Sequence, residues 1–158
     1  AENSAGTHAL SAHWAPQINL GLSVYIPEEY MPDESLRFRV YRRLSHLKTA
    51  EEVALFEIEM IDRFGQIPLA FHNLIETISL RNLCKAINVQ KIDRGPKGIL
   101  ITLYKDTFPN IDRLLAFIAQ NQGTVKLRPD QKLVIIKSWK DSEIVDKLIT
   151  LLGNLLEK

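Results

Sequence analysis

Apolar positions recur along this chain with a spacing that changes near residue 88. Leu36, Val40, Leu44 and Leu47 return every three or four residues, which puts them on one side of a helix predicted over about 33–47. Asp33 follows the breakers Pro27 and Pro32 and is placed to cap that helix. Thr49 and Glu52 have the spacing of a capping box, and Gly65 suits a helix C-terminus, so a second helix is predicted over about 50–64. Pro68 fits the first turn of a third helix, where Phe71, Leu74, Ile75, Ile78 and Leu83 extend the apolar stripe to about Ile87.

Past Val89 the period shortens. Val89 to Arg94 and Ile99 to Tyr104 are strand-like runs around Gly95-Pro96-Lys97-Gly98, which predicts a hairpin. Pro109 is expected to begin a helix bearing Ile111, Leu114, Leu115 and Ile118, closed by Gly123. Thr124 to Leu127 and Leu133 to Ser138 bracket the turn Arg128-Pro129-Asp130-Gln131 as a second hairpin, and Asp141 or Ser142 is expected to cap a last helix through Leu152. Before all of these, Pro16 to Val24 alternates as an extended segment lying along an edge does. The predicted class is α/β of the α+β kind: an N-terminal helical half, about 33–87, then a ββαββα half, about 89–157, with antiparallel hairpins and the pattern of an internal duplication.

Composition adds little to this and excludes much. A chain of 158 residues with 46% hydrophobic and 25% charged residues and a net charge of +1 has the make-up of one ordinary globular domain. No apolar run approaches the roughly 20 residues of a membrane span. The one cysteine, Cys84, lies in a helical stretch, which excludes an intrachain disulfide and favours a reducing, cytoplasmic setting. Residues 1–15 look loose, small and polar at the start without the basic-then-apolar order of a signal peptide, and read as a linker or boundary, leaving 16–158 as the domain proper.

Catalytic patterns do not emerge. The glycines at 95 and 98 sit between two strands instead of between a strand and a helix, so they read as a turn and not a phosphate loop. His8, His13, His46 and His72 lack metal-ligand spacing, and Cys84 has no adjacent base, so it reads as a structural thiol. A small hydrolase would need a pocket of convergent titratable groups that the sequence does not name. Arg37, Arg39, Arg42 and Arg43 raise a second reading, a nucleic-acid-binding module with Lys126 and Arg128 as further contacts. Against it stand the near-neutral charge and Glu51, Glu52, Glu57 and Glu59 on the next helix as local partners.

On that second helix, about 100° per residue gathers Val53, Ala54, Met60, Ile61 and Phe64 on the expected core face. Glu57 intrudes there, and is expected at the edge or paired with Arg42 or Arg43. Glu59, Asp62, Arg63 and Gln66 stand at i, i+3, i+4 and i+7 on the other side, with Leu55 one turn earlier. Such a strip either steadies the helix or meets a complementary protein surface.

Several strings in order, Ile26-Pro27-Glu28-Glu29-Tyr30-Met31-Pro32-Asp33, Tyr41-Arg42-Arg43-Leu44, Glu59-Met60-Ile61-Asp62-Arg63-Phe64-Gly65 and Ile67-Pro68, resemble the C-terminal domain of the bacterial transcription-repair coupling factors. The resemblance is clear over about residues 16–104, past that only the pattern of elements agrees, and it implies that residues 1–15 are the linker from a preceding translocase domain. It implies a cytoplasmic bacterial protein of DNA repair whose motor, with its ATP and magnesium, lies upstream, so this chain holds no cofactor and no active site. It implies a regulatory domain that packs in cis on a UvrB-like N-terminal module, masks the UvrA-binding surface and restrains an ATP-driven double-stranded DNA translocase acting on stalled RNA polymerase. The family's clamp residues fall here on Glu59, Asp62 and Arg63. No membrane enters this picture.

Overall fold

The computed structural model describes residues 14–156. The stretch 1–13, with His8 and His13 and most of the expected linker, lies outside the described residues. In chain order the elements are β1 (Gln17–Asn19), α1 (Glu34–Leu44), α2 (Ala50–Phe64), α3 (Leu69–Ala86), β2 (Val89–Gly95), β3 (Gly98–Leu103), α4 (Ile111–Gln120), β4 (Val125–Leu127), β5 (Leu133–Ile135) and α5 (Ile144–Leu152), with short 3-10 turns at Tyr104–Asp106 and Gly153–Leu155. The mixed α/β class with a helical first half and two antiparallel hairpins is as the sequence predicts. Two compact units form: Gly21–Leu83 with Trp139–Gly153, and Cys84–Ser138 with the segments up to Leu20 and from Asn154.

In the helical unit the caps do what their residue types allow. The Asp33 carboxylate accepts from the Ser35 and Leu36 amides, and the Thr49 hydroxyl accepts from the Glu52 amide. The Glu52 carboxylate reaches back to the amide of Lys48, one residue before the cap. Helix α1 ends at Leu44, about a turn earlier than predicted, because the Ser45 hydroxyl donates to the Arg42 carbonyl and the Leu47 amide to that of Leu44. Gly65 ends α2 at φ 91°, a region glycine enters without a Cβ penalty. Phe56 and Phe71 pack edge to face with centroids 6.1 Å apart, and Tyr30 meets Phe71 at 5.6 Å. Met31, Leu44, Met60 and Ile75 close the core around them. Each such side chain contributes roughly 1.5–3 kcal/mol by leaving water.

The predicted caps at the chain's later helices need correction. Helix α4 begins at Ile111 and not at Pro109, because Asn110 caps it, its side chain accepting from the Arg113 amide. Gly123, at φ 85°, belongs to the turn before β4. Helix α5 starts after Glu143, with neither Asp141 nor Ser142 as its cap and no side-chain cap bond, because the Glu143 and Ile144 amides both turn back to the Lys140 carbonyl.

In the other unit the strand order is β1-β2-β3-β5-β4. The Pro16–Val24 segment supplies β1, parallel to β2 at one edge, as expected; the remaining pairs are antiparallel. The two hairpins meet through their second strands, β3 and β5. Gly95 pairs with Gly98, leaving Pro96-Lys97 as a two-residue turn. Ile92, Ile99, Ile101, Leu133 and Ile135 are buried on the sheet, as are Leu114 and Phe117 of α4. Trp14 stacks on Tyr104 at 4.6 Å, so the described end of the expected linker is held by a ring contact.

Candidate functional site

Helix α2 presents its two sides to very different surroundings. Val53, Phe56 and Met60 are buried and Phe64 is half-buried, spaced three, four and four residues apart, so this is the core face. Two residues expected on it are not there: Ala54 and Ile61 are exposed, and Phe56 takes the position they were given. Glu57 lies half-buried at the edge of the core face, as expected, but the arginine partner goes elsewhere.

That partner is taken by Glu59. Arg43 Nη1 and Nη2 donate to Glu59 Oε2 and Oε1 at 2.6 and 2.7 Å, and Arg63 Nη1 donates to Oε2 at 3.2 Å. Two parallel bonds make this a fork pair joining α1 to α2. The hydrogen bond from Arg43, helped by that from Arg63, holds the Glu59 carboxyl down at about 2. The guanidinium of Arg43 also lies 5.2 Å from the Phe56 ring centre, and that of Arg63 lies 5.0 Å from Phe64. At the end of the helix the Tyr30 hydroxyl sits 3.0 Å from the Met60 carbonyl oxygen and 2.9 Å from that of Gly65, donating between them. The turn carrying Asp62 and Arg63 is thereby fixed from both sides.

Of the predicted strip, Leu55, Glu59, Asp62 and Arg63 share one surface of α2, whereas Gln66 lies past the end of the helix, because Gly65 turns the chain at φ 91°. Leu55 is 68% exposed and Asp62, Arg63 and Gln66 are exposed, whereas Glu59 is half-buried and committed to its arginines. Asp62 has no partner among the described residues and is the anion that remains available. Beside the strip stand Ile58 and Ile61, 62% and 52% exposed. The sequence signal for them is an apolar surplus: Val53, Phe56, Met60 and Phe64 already complete one face, so the remaining aliphatics must point elsewhere.

The basic cluster on α1 does not form a single surface. Arg37 folds under the chain, donating to the Met31 and Pro32 carbonyls at 2.7 and 3.0 Å. Arg43 is held by Glu59. Arg39 and Arg42 remain exposed. In the other unit Lys126 is exposed and Arg128 pairs with Asp130 at 2.9 Å.

A hollow of about 180 Å³ in the helical unit gathers His72 and Glu76 of α3 with Ser142 and Asp146. Burial pushes the Glu76 carboxyl up, opposed by His72 and reinforced by Glu57 and Asp146. No hydroxyl or thiol there is hydrogen-bonded to a base among the described residues. Cys84 is fully buried, and burial pushes its thiol up to about 12. Among the described residues no helix is long and apolar enough to cross a membrane, and no cluster of three metal-ligating side chains occurs.

Comparison with known proteins meets this geometry. The family model described as TRCF domain matches residues 20–114. A transcription-repair-coupling factor of Rickettsia prowazekii is 39% identical over 148 residues, covering 94% of this chain and 13% of that protein. The Escherichia coli protein of the same name is 24% identical over 125 residues, covering 79% of this chain and 11% of its own length. This chain therefore spans little more than a tenth of the length of these two relatives. A crystal structure of the C-terminal domain of a transcription-repair coupling factor superposes with a TM-score of 0.78 at 21% identity, covering 90% of this chain and 92% of that one.

Proposed function

This chain belongs to the TRCF domain family, and from that membership we propose that it is an autoinhibitory docking domain of a transcription-coupled repair translocase. In this reading the exposed face of α2 packs on a UvrB-like N-terminal module of the same polypeptide, masks UvrA binding and restrains the motor. RNA polymerase, double-stranded DNA, ATP and magnesium are then bound by other parts of that polypeptide. The observation that carries the reading is the state of the three family clamp positions: Glu59 and Arg63 are locked into a network that also holds Arg43, and Asp62 stands free beside them.

A latch of this kind needs little intrinsic affinity. With an effective concentration on the order of 1 mM for a tethered partner, a Kd of about 0.1 mM keeps roughly ten molecules closed for each one open. A partner that binds only the open form then shifts the balance by its own differential affinity. Charged contacts suit such reversibility, because water solvates both sides when they part.

The test is a titration of the chain into the N-terminal module, for wild type and for Asp62→Lys with Arg63→Glu. The expected result is saturable binding that the charge reversal abolishes while circular dichroism stays unchanged. No binding even when the two parts are tethered would remove the autoinhibition reading.

A further inference from the structure

The exposed half of α2 is more apolar than a solvated helix face needs to be. Leu55 and Ile58, three residues apart, occupy its middle, and Ala54 and Ile61 continue the arc on one side, all exposed. Glu51 lies one turn before Leu55 and Asp62 one turn after Ile58, so a carboxylate stands at each end of the arc. Neither carboxylate has a partner among the described residues, and Arg63 nearby is already shared with Glu59.

We propose that Ala54, Leu55, Ile58 and Ile61 are the anchor of the docking face, and that their occupant is an apolar patch rimmed by lysine or arginine side chains in another part of the same polypeptide. The inference rests on the docking reading above and changes what carries the affinity in it. Interfaces draw most of their energy from a few desolvated apolar or aromatic anchors, while charges at the rim set register and association rate. Glu59 is spent within the chain, so Asp62 and Glu51 form the rim and the aliphatic arc forms the centre.

Two features choose this occupant. The relatives are far longer than this chain, which covers 13% of the Rickettsia protein, so a partner in cis is at hand. A second copy of the chain is disfavoured by charge: pairing this arc with itself sets the Glu51 and Asp62 carboxylates against like charges, with the neighbouring cation already taken.

Calorimetric titration of the chain into the N-terminal portion of its own polypeptide, at about 50 and 500 mM salt, tests this. Wild type is expected to lose only severalfold in affinity across that range, and Leu55→Ser and Ile58→Ser are expected to weaken binding roughly tenfold each. Both side chains are exposed, so melting temperatures should stay as in wild type; Ile61→Ser serves as the third variant if either of the others misfolds. Variants that bind like wild type while Asp62→Lys loses binding would overturn the anchor and leave the docking reading standing. Absence of wild-type binding in the tethered form would remove both. Concentration-dependent self-association lost in Ile58→Ser would overturn the occupant in favour of a second copy.

Discussion

Arg43 and Glu59 meet in parallel, two guanidinium nitrogens to two carboxylate oxygens at 2.6 and 2.7 Å, and so tie α1 to α2. The carboxyl sits at about 2 against an ordinary 4.5. A carboxyl lowered on folding stabilises the fold fully above its unfolded value, and that contribution is lost as pH falls from about 4.5 toward 2. Arg43→Gln should return the Glu59 titration toward 4.5 and flatten the dependence of melting temperature on pH across this window. Carboxyl NMR shifts together with melts at successive pH values check it; an unmoved Glu59 titration in the variant would show that Arg43 is not the cause.

The Tyr30 hydroxyl has one proton to offer the Met60 and Gly65 carbonyls, and its ring has separate duties against Phe64 and Phe71. Tyr30→Phe keeps the rings in place and deletes only the hydroxyl. The expected loss is about 0.5–1.5 kcal/mol in denaturant unfolding. It should be accompanied by faster amide exchange in the last turn of α2. An unchanged midpoint would mean that water replaces the hydroxyl without cost.

Strands β3 and β5 approach so closely at Gly98 that a Cβ there would lie 2.4 Å from the Ile135 carbonyl oxygen. Backbone cannot yield as a side chain does, so Gly98→Ala should cost at least about 2 kcal/mol. Gly95 at the other side of the same turn has only a 3.6 Å contact to the Gly98 carbonyl oxygen, so Gly95→Ala should cost much less. Equal midpoints for the two variants would contradict the register of the sheet.

Local chemistry in this chain is legible where it acts over a few residues. Asp33, Thr49 and Gly65 mark their helix ends through bonds or dihedrals that need no tertiary context, and Gly95 with Gly98 marks a hairpin. The face of α2 is harder. Apolar residues lie on two arcs of that helix, and hydrophobicity does not say which arc packs; Phe56, aligned by its ring with Phe71, wins over Ala54 and Ile61. The pairing of Arg43 with Glu59 crosses two helices, so no spacing rule announces it, and the expected partner Glu57 lies on a different side of α2. Asp141 and Ser142 have the chemistry of caps but the backbone turns at Lys140, and Glu143 takes the position. The strip itself is visible in spacing, while its assignment as a clamp comes through family resemblance.

Cys84 is fully buried and its thiol is pushed up to about 12 by that burial. Reaction needs the thiolate and access to it. Labelling by an aromatic disulfide reagent at a pH of about 8 should therefore proceed only as fast as the fold opens, and become immediate in denaturant. Rapid stoichiometric labelling of the native chain would show an exposed, activated thiol and reopen a catalytic reading.

The arginines of α1 set a measurable limit on nucleic-acid binding. Each neutralised phosphate contributes about −0.9 to the slope of log K against log salt on duplex DNA. Four arginines acting together would give a slope of about −3.6. Arg37 is bound to the Met31 and Pro32 carbonyls and Arg43 to Glu59, which leaves Arg39 and Arg42 and a slope no steeper than about −1.8 for this helix. Fluorescence anisotropy of a labelled duplex across a salt series measures it. Weak binding with the shallow slope, lost in Arg39→Ala with Arg42→Ala, is the expected outcome. A slope of about −3.6 would require Arg37 and Arg43 to leave their partners, and would support the nucleic-acid reading of α1 against the proposed docking through α2.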